Sequence, residues 1–280
     1  MLRFRDAFAI SPFIGASAGA VRDCRHTCRA ALFVAAGVFV GSTALAAVTG
    51  SGHDSVFTIL VRWAPLLLWG FLFNLVISVL SMAVGTAAGV PLGIMQLSPL
   101  RPLAWVAGLV IQFFRNAPWL VLLFMCVMLL PFEFHVFGVR VPFPDWVKSV
   151  IGFALPAMAN VAEIVRGAVQ SVPTGQWESS ESLGFTRGQA MLQIILPQCI
   201  KRMLPPWMNL YSLIAMSTVN ASVVGVNEML TLTSQVHAAE GSRPELLAPL
   251  YSFALVCFFL YAYPIGKWTE RLERKYQVKD

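Results

Sequence analysis

Residues 175–197 read Gly-Gln-Trp-Glu-Ser-Ser-Glu-Ser-Leu-Gly-Phe-Thr-Arg-Gly-Gln-Ala-Met-Leu-Gln-Ile-Ile-Leu-Pro, a polar stretch between two apolar spans. Residues 177–183 suit one or two helical turns lying along a membrane surface. Gly184 allows a left-handed turn or a close backbone contact. Pro197 can start or kink the helix that follows. The stretch predicts a structured loop between two membrane helices, with an ordinary polar loop as the alternative.

The composition places the chain in a bilayer. The 280 residues are 57% hydrophobic and only 12% charged, whereas a soluble domain has about 25% charged residues. The mean hydropathy is +0.70. The net charge of +6 is interpreted as orientation charge in a membrane protein rather than as a nucleic-acid footprint.

Six apolar spans are predicted, and each is near or above the roughly 20 residues that a membrane-crossing helix needs. The second, third and fifth are longer, so they tilt or extend beyond the bilayer. The spans are residues 30–49, 65–96, 103–130, 147–170, 203–230 and 247–266. The sequence therefore predicts an all-α integral membrane protein of about six transmembrane helices.

The predicted organisation has three parts. Residues 1–60 hold an N-terminal tail and the first helix, residues 61–266 form the transmembrane domain with the loop at 171–200, and residues 267–280 are a C-terminal tail. Ala44-Leu45-Ala46 resembles a signal-peptidase site. The basic segment before it is long for a signal peptide, so an uncleaved helix is favoured; cleavage would leave five spans.

Lys and Arg residues orient the chain. With the N-terminus inside, the inner segments hold fifteen of them and the outer segments four, while Arg115 sits within a span. This bias predicts that both termini and the 171–202 loop are cytoplasmic.

The loop resembles the cytoplasmic coupling loop of ABC importer permeases. The pattern in that family is Glu-Ala-Ala, three residues, Gly, nine residues, Ile-x-Leu-Pro. Ser179 and Ser180 replace the two alanines, and their small size permits close approach by another protein. The positions that fall on this spacing are Glu178, Gly184, Ile194, Leu196 and Pro197. The resemblance implies a type I importer-like fold with a coupling helix on which a separate ATPase acts.

Two further stretches resemble the polar amino acid branch of these permeases. One is Glu163-Ile164-Val165-Arg166-Gly167 followed by Val172-Pro173-x-Gly175-Gln176, and the other is Phe114-Arg115-Asn116-Ala117-Pro118-Trp119-Leu120. Asn116 stands where the branch commonly has glycine. The resemblance covers residues 65–265 and adds Gly175 and Gln176 to the ATPase-coupling residues.

The chain departs from this branch after the coupling loop. The branch commonly carries Lys-x-Thr-Ser-Leu there, whereas residues 216–220 read Met-Ser-Thr-Val-Asn. Thr218 is kept, but Met216 replaces the lysine and Val219 the serine. If that lysine binds solute or a partner in relatives, this chain does so differently.

Polar residues within the spans are candidates for the transport pathway or its gate. Arg115 is costly in an apolar span, so it is either a pathway residue or part of a structural ion pair. Glu163 and Arg166 share a helix face and are either a structural pair beside an inner gate or a direct solute contact. Asn116, Thr218 and Asn220 complete the candidates. Interhelical hydrogen bonds are expected for Asn74, Gln112, Asn160 and Asn220.

Enzymatic and metal sites are not indicated. His53, His135 and His237 lie in separate loops without ligand spacing, and Cys24 and Cys28 lack a second ligand pair. The sequence has no Gly-x4-Gly-Lys-Ser/Thr phosphate loop. No metal or cofactor is therefore expected in this chain, and ATP and magnesium are expected on a partner ATPase.

The resemblance implies the permease subunit of an ATP-driven importer in the bacterial inner membrane, for a polar amino acid or a related solute. Its implied partners are two ABC ATPase subunits, a periplasmic solute-binding protein and a second permease, identical or related. The alternatives are a secondary transporter driven by an ion gradient and a membrane scaffold protein. A secondary transporter predicts paired inverted repeats and several membrane carboxylates.

Overall fold

The computed structural model describes residues 55–136 and 139–276. The first predicted span, residues 30–49, and its possible cleavage site lie outside the described residues. Helices dominate the described part, with one short antiparallel hairpin of β1 and β2. In chain order the elements are α1 (Val56–Gln96), α2 (Arg101–Asn116), α3 (Trp119–Leu129), β1 (Glu133–Val136), β2 (Val139–Pro142), α4 (Asp145–Gln170), α5 (Thr174–Ser182), α6 (Arg187–Gln189), a π-helical turn (Ala190–Ile195), α7 (Leu196–Ser217), a 3-10 segment (Thr218–Val224), α8 (Met229–Ala239) and α9 (Pro244–Tyr276).

Three of the described helices, α1, α4 and α9, are long and apolar enough to cross a membrane. Two bent pairs bring the described total to five if each pair is one span: α2 with α3, and Arg187–Val224 with α8. The all-α membrane architecture predicted from the sequence is confirmed, and the sixth expected span falls outside the described residues.

The third predicted span, 103–130, is not one helix. It breaks into α2 and α3, which meet at an angle of 104°. The break lies at Ala117 and Pro118, both with extended backbone angles. A residue before proline is disfavoured in the helical region, so the helix ends where the apolar run continues.

The fifth predicted span, 203–230, is also interrupted. The helix α7 begins earlier, at Leu196, and ends at Ser217, where a 3-10 segment takes over. Gly225 then has a φ of 85°, which glycine adopts without steric cost. Glu228 caps the start of α8 with its side chain. The turn at Gly225 and the helix cap at Glu228 therefore divide the segment that hydropathy predicts as one span.

The C-terminal charged segment continues α9 without a break. This helix runs from Pro244 to Tyr276, so the predicted boundary at residue 267 between span and tail lies inside one helix.

Three glycines let α1 and α4 pack backbone against backbone. A Cβ placed on Gly89 would lie 2.6 Å from the carbonyl oxygen of Met158, and one on Gly93 would lie 2.6 Å from that of Ala162. Gly85 meets α4 at Ala157 in the same way. Small residues spaced by four permit such close contacts between membrane helices. Since the contacts advance along both helices together, α1 and α4 run parallel.

The two ends of α1 pack in different clusters and so define the two ends of the molecule. Near its start, Val56 and Ile59 pack with Met229 of α8 and Leu250 of α9. Beyond its end, Leu97 packs with residues around the 171–202 loop. This loop therefore lies at the end of the molecule opposite to the start of α1.

Candidate functional site

The helix α5 is packed against the body of the protein by the side chain of Trp177, and an arginine of α7 binds the turn that precedes α5. Trp177 packs beside Val172 and Ile195 in an apolar cluster. Arg202 of α7 donates from Nη1 to the backbone oxygen of Ser171 at 2.5 Å and to its Oγ at 2.8 Å. These contacts tie the loop to both α4 and α7, so a force on α5 is transmitted to both helices.

The exposed surface of α5 carries four of the nine residues expected from the sequence to couple to an ATPase. Leu183, directly after the helix, is 75% exposed. An apolar side chain so exposed on a polar loop is suited to contact another protein. The four expected coupling residues that are exposed on α5 are Gly175, Gln176, Glu178 and Ser179.

Ser180 differs from the expectation that it permits close approach by another protein. It is buried within its own chain, and its Oγ donates to the backbone oxygen of Trp177 at 2.7 Å. It therefore faces the body of the protein, on the side of α5 that also carries Trp177. Only Ser179 of the pair is exposed.

Gly184 ends the α5 segment with a φ of 80°, the left-handed conformation that the sequence allowed. A Cβ there would meet nothing within 4 Å. No close contact with the backbone of the described residues therefore requires the glycine. Its conformation does, because left-handed angles are strained for other residues.

The chain then returns to the membrane through two short helical segments that lead into the longer helix α7. Thr186 and Gln189 form a capping box at the start of α6. The following π-helical turn places Ile194 half-buried. Leu196 begins α7, with Pro197 in its first turn, and the helical backbone continues into α7 from the π-helical turn without a break.

Arg115, Glu163 and Arg166 come together as a cluster of charges. Arg166 pairs with Glu163 on α4, its Nε lying 3.0 Å from Oε1, and its Nη1 donates to Gln170 at 2.7 Å. Arg115 of α2 approaches the same Oε1 with its Nη1 at 3.7 Å. The other carboxylate oxygen of Glu163, Oε2, is buried and receives no hydrogen bond from the described residues. One carboxylate thus holds two arginines and keeps one oxygen unsatisfied.

Asn116, next to Arg115, bonds within its own helix. Its Nδ2 donates to the backbone oxygen of Gln112 at 2.7 Å and to the Gln112 side chain at 3.1 Å. Asn160 likewise donates to the backbone oxygen of Pro156, four residues earlier, at 2.8 Å. The interhelical bonds expected for Gln112 and Asn160 are therefore replaced by local ones, because a backbone carbonyl of the same helix lies within reach.

A second cluster of polar side chains lies at the break between α7 and α8 and connects it to α1 by hydrogen bonds. Asn74 of α1 donates from Nδ2 to Thr218 Oγ1 at 3.1 Å and to Glu228 Oε2 at 2.9 Å, and its Oδ1 accepts from the backbone N–H of Met229 at 3.1 Å. Glu228 also accepts from the N–H groups of Leu230 and Thr231, both at 2.9 Å. The interhelical bond expected for Asn74 is confirmed. Thr218 joins this cluster, and Asn220 lies half-buried in the same 3-10 segment.

Glu228 was missed from the sequence although it is fully buried. It lay near the end of an apolar run, and glutamate is not among the residues preferred at a helix start, which are Ser, Thr, Asp and Asn. The available signal was the combination of Gly225 with a carboxylate three positions later.

Comparison with known proteins matches most of the chain. The probable amino-acid ABC transporter permease YckA of Bacillus subtilis strain 168 is 35% identical over 213 residues, which are 76% of this chain and 89% of that protein. The probable glutamine ABC transporter permease GlnM of the same strain is 31% identical over 206 residues, 74% of this chain and 91% of the relative.

Solved structures agree with the fold. The crystal structure of an amino acid ABC transporter with histidines covers 77% of this chain and 96% of its own, with a TM-score of 0.66 and 27% identity. An inward-facing MetNI methionine ABC transporter matches with a TM-score of 0.55 over 80% of this chain and 98% of its own, at 18% identity, and supports the fold alone. The profile of the binding-protein-dependent transport system inner membrane component matches residues 85–275. The chain belongs to this family of membrane permease subunits.

Proposed function

We propose that this chain forms part of the transmembrane path of an importer for a polar amino acid or a chemically related solute. As a family member it is a transport subunit rather than an enzyme, and ATP hydrolysis resides on a separate subunit. The observation that carries the proposal is the helix α5, whose exposed face ends in Leu183 and Gly184 while its inner face is anchored by Trp177. The amino acid transporters among its relatives support the choice of solute.

Coupling acts through the exposed face of α5. Two partner ATPases bind ATP and magnesium, close on each other and move the α5 helices of two permease subunits, which are identical or related. The Trp177 cluster and the Arg202 contact carry this movement into α4 and α7. A periplasmic solute-binding protein delivers the solute at the opposite end of the molecule.

The cluster of Arg115, Glu163 and Arg166 serves as the inner gate. It lies on α4 just before α5 and joins α4 to α2, so a displacement of α4 changes the distance between Arg115 and Glu163. Alternating access then opens and closes the path on the two sides in turn.

Reconstitution tests this function. The chain, its ATPase and its binding protein are placed in vesicles, and uptake of polar amino acids is measured with sugars as controls. Solute-stimulated ATP hydrolysis is expected, with a partial loss in Glu178→Lys, since a single local charge is worth about 1 kcal/mol. Uptake that follows an ion gradient without the ATPase would instead identify a secondary transporter.

The orientation is tested separately. Both termini and the α5 loop are expected on the cytoplasmic face of the bacterial inner membrane. Reporter domains fused after residue 188 and after residue 275 should both give a cytoplasmic signal. A periplasmic signal at either position would contradict the six-span arrangement.

A further inference from the structure

A pocket of about 400 Å³ opens at the start of α4, the end of this helix that is remote from the α5 loop. Three aromatic side chains line it: Trp69 and Phe73 of α1, and Trp146 in the first turn of α4. The rings of Phe73 and Trp146 meet at an angle of 65°, with their centroids 5.9 Å apart, and form a corner. Sites for small molecules enclose about 300–1,000 Å³. The pocket is therefore large enough for an amino acid.

Asp145 gives this aromatic pocket a carboxylate. It is the single charged residue among the described residues that line the pocket. The Asp145 side chain is 41% exposed, whereas its Oδ1 atom is buried, so the exposed carboxylate oxygen is Oδ2. The face of an aromatic ring is negatively polarised and attracts cations. Rings that surround a carboxylate oxygen therefore favour a positively charged ligand.

A buried lysine fixes the direction of the Asp145 carboxylate. Lys148 lies one helical turn later, and its Nζ atom is 3.0 Å from Asp145 Oδ1. The Lys148 side chain is fully buried, and its Nζ atom also lies 3.5 Å from the centre of the Phe132 ring. Lys148 does not line the pocket. Its ammonium group thus stays behind the carboxylate, and Asp145 Oδ2 remains for a ligand.

The turn between α7 and α8 forms the remaining wall of the pocket. Residues 225–227 line this wall, and Gln235 orients the Asn227 side chain by donating from Nε2 to its Oδ1 at 3.3 Å. Glu228 follows directly, but it is buried and both of its carboxylate oxygens already accept hydrogen bonds. Asp145 is therefore the carboxylate that a ligand in the pocket can reach.

The pocket is separate from the charge cluster around Glu163. From residue 145 to residue 163 the helix α4 advances about 27 Å, which is too far for one amino acid to contact both places. The cluster also holds two arginines on one carboxylate, so its charge is opposite to that of the pocket. The two places on α4 therefore suit different chemical groups.

We propose that this pocket binds the cationic side chain of a basic amino acid, a guanidinium or an alkylammonium group. The rings of Trp69, Phe73 and Trp146 contact the cation, and Asp145 Oδ2 accepts a hydrogen bond from it. The pocket thereby selects solutes with a cationic side chain on the side of the membrane remote from α5. This inference rests on the proposed import function for the direction of transport, whereas binding is measured without the ATPase and the solute-binding protein.

Titration calorimetry on the full-length protein in lipid nanodiscs tests the pocket. The probes are L-arginine and L-citrulline, which have nearly the same shape and differ in the charge of the side chain. Trp69→Leu removes one ring, and at 69% exposure it should leave the unfolding temperature unchanged. Trp105→Leu is the matched control, because Trp105 is 67% exposed and does not line the pocket. Asp145→Asn removes the charge of the carboxylate.

The original protein and Trp105→Leu should bind L-arginine roughly fivefold more tightly than L-citrulline. Trp69→Leu and Asp145→Asn should each reduce this preference by about two- to fivefold. Asp145→Asn also leaves the buried Lys148 without its partner, so its unfolding temperature should fall. If that variant does not fold, Trp69→Leu decides the test.

Absence of L-arginine binding, equal binding of the two probes, or an unchanged preference in Trp69→Leu would overturn the proposal. The same loss in Trp105→Leu would overturn it as well. A preference that is lost in Glu163→Gln but kept in Trp69→Leu would place the cation at the inner cluster instead. Failure of ATP-driven uptake in vesicles, with the preference of the pocket intact, would contradict the import function and support the pocket.

Discussion

Asn74 donates a hydrogen bond to the buried carboxylate of Glu228 at 2.9 Å, across a separation of 154 positions in the sequence. The same amide accepts from the backbone N–H of Met229 at 3.1 Å. One side chain of α1 therefore holds both the cap and the first turn of α8. The break between α7 and α8 is therefore stabilised by α1, a neighbouring helix that is not broken at Asn74.

The first prediction concerns this contact. Asn74→Ala removes three hydrogen bonds. It leaves the buried N–H of Met229 without this acceptor, which costs about 1–3 kcal/mol. We expect a clear fall in the thermal unfolding temperature of the detergent-solubilised protein. Asn160→Ala is the matched control, because among the described residues Asn160 donates to a backbone oxygen of its own helix and to no other helix. Equal falls for the two variants would contradict a special role for Asn74.

The second prediction concerns the glycine contact between α1 and α4. Gly89→Ala places a Cβ 2.6 Å from the carbonyl oxygen of Met158, and overpacking of this kind costs about 1–3 kcal/mol. The unfolding temperature is expected to fall. In Gly167→Ala the new methyl group meets nothing within 4 Å, and alanine is favoured over glycine in a helix by about 0.5–1 kcal/mol. A Gly89→Ala protein as stable as Gly167→Ala would show that the helices separate at little cost.

The third prediction distinguishes transport from stability at Arg115. Its distance of 3.7 Å to Glu163 and its 43% side-chain exposure describe a weak ion pair, worth at most about 1 kcal/mol. Arg115→Ala should therefore unfold at nearly the same temperature as the original protein while solute uptake falls. Arg115→Lys should restore uptake only in part if planar contacts are needed.

Glu163→Gln provides the contrast for that prediction. It removes the carboxylate shared by both arginines, so the unfolding temperature and uptake should fall together. Normal uptake in Arg115→Ala would exclude Arg115 from the gate.

Local signals in the sequence predicted much of the fold. The helix α4 was expected at 147–170 and runs from Asp145 to Gln170, because its apolar length is continuous and Pro173 follows it. Gly184 adopts the left-handed turn that its missing side chain allows, and Pro197 lies in the first turn of α7. The α5 loop could be placed for the same reason, since its capping and turn residues act over only a few positions.

Features that depend on contacts between distant residues could not be predicted in this way. Ser180 is buried because Trp177 packs against residues of α4 and the π-helical turn, and the sequence of the loop does not contain that information. Glu228 is recognisable as a helix cap only with Asn74 beside it. Pro118 is present in the sequence as a possible helix break. The hydropathy on both sides of it is high, however, so a hydropathy average predicts one continuous span.

The last prediction addresses coupling through Gly184. Its φ of 80° is unfavourable for a β-branched residue, and the left-handed conformation costs a non-glycine residue roughly 1–2 kcal/mol. Gly184→Val should therefore shift the turn that presents Leu183, while the buried clusters stay intact because no described residue lies within 4 Å of the new Cβ. A shift of this free energy corresponds to roughly a 5–30-fold change in an equilibrium.

Solute-stimulated ATP hydrolysis and pull-down of the ATPase by the Gly184→Val protein should fall by this order, while binding of the solute-binding protein at the opposite end is unchanged. Gly188→Val is the matched control. It introduces the same side chain four positions later, where the glycine has no left-handed φ and its Cβ also meets nothing within 4 Å. If both variants retain normal stimulation and pull-down, α5 is not the coupling element. If Gly188→Val fails as severely as Gly184→Val, added bulk on this surface, rather than the left-handed turn, interferes with the ATPase.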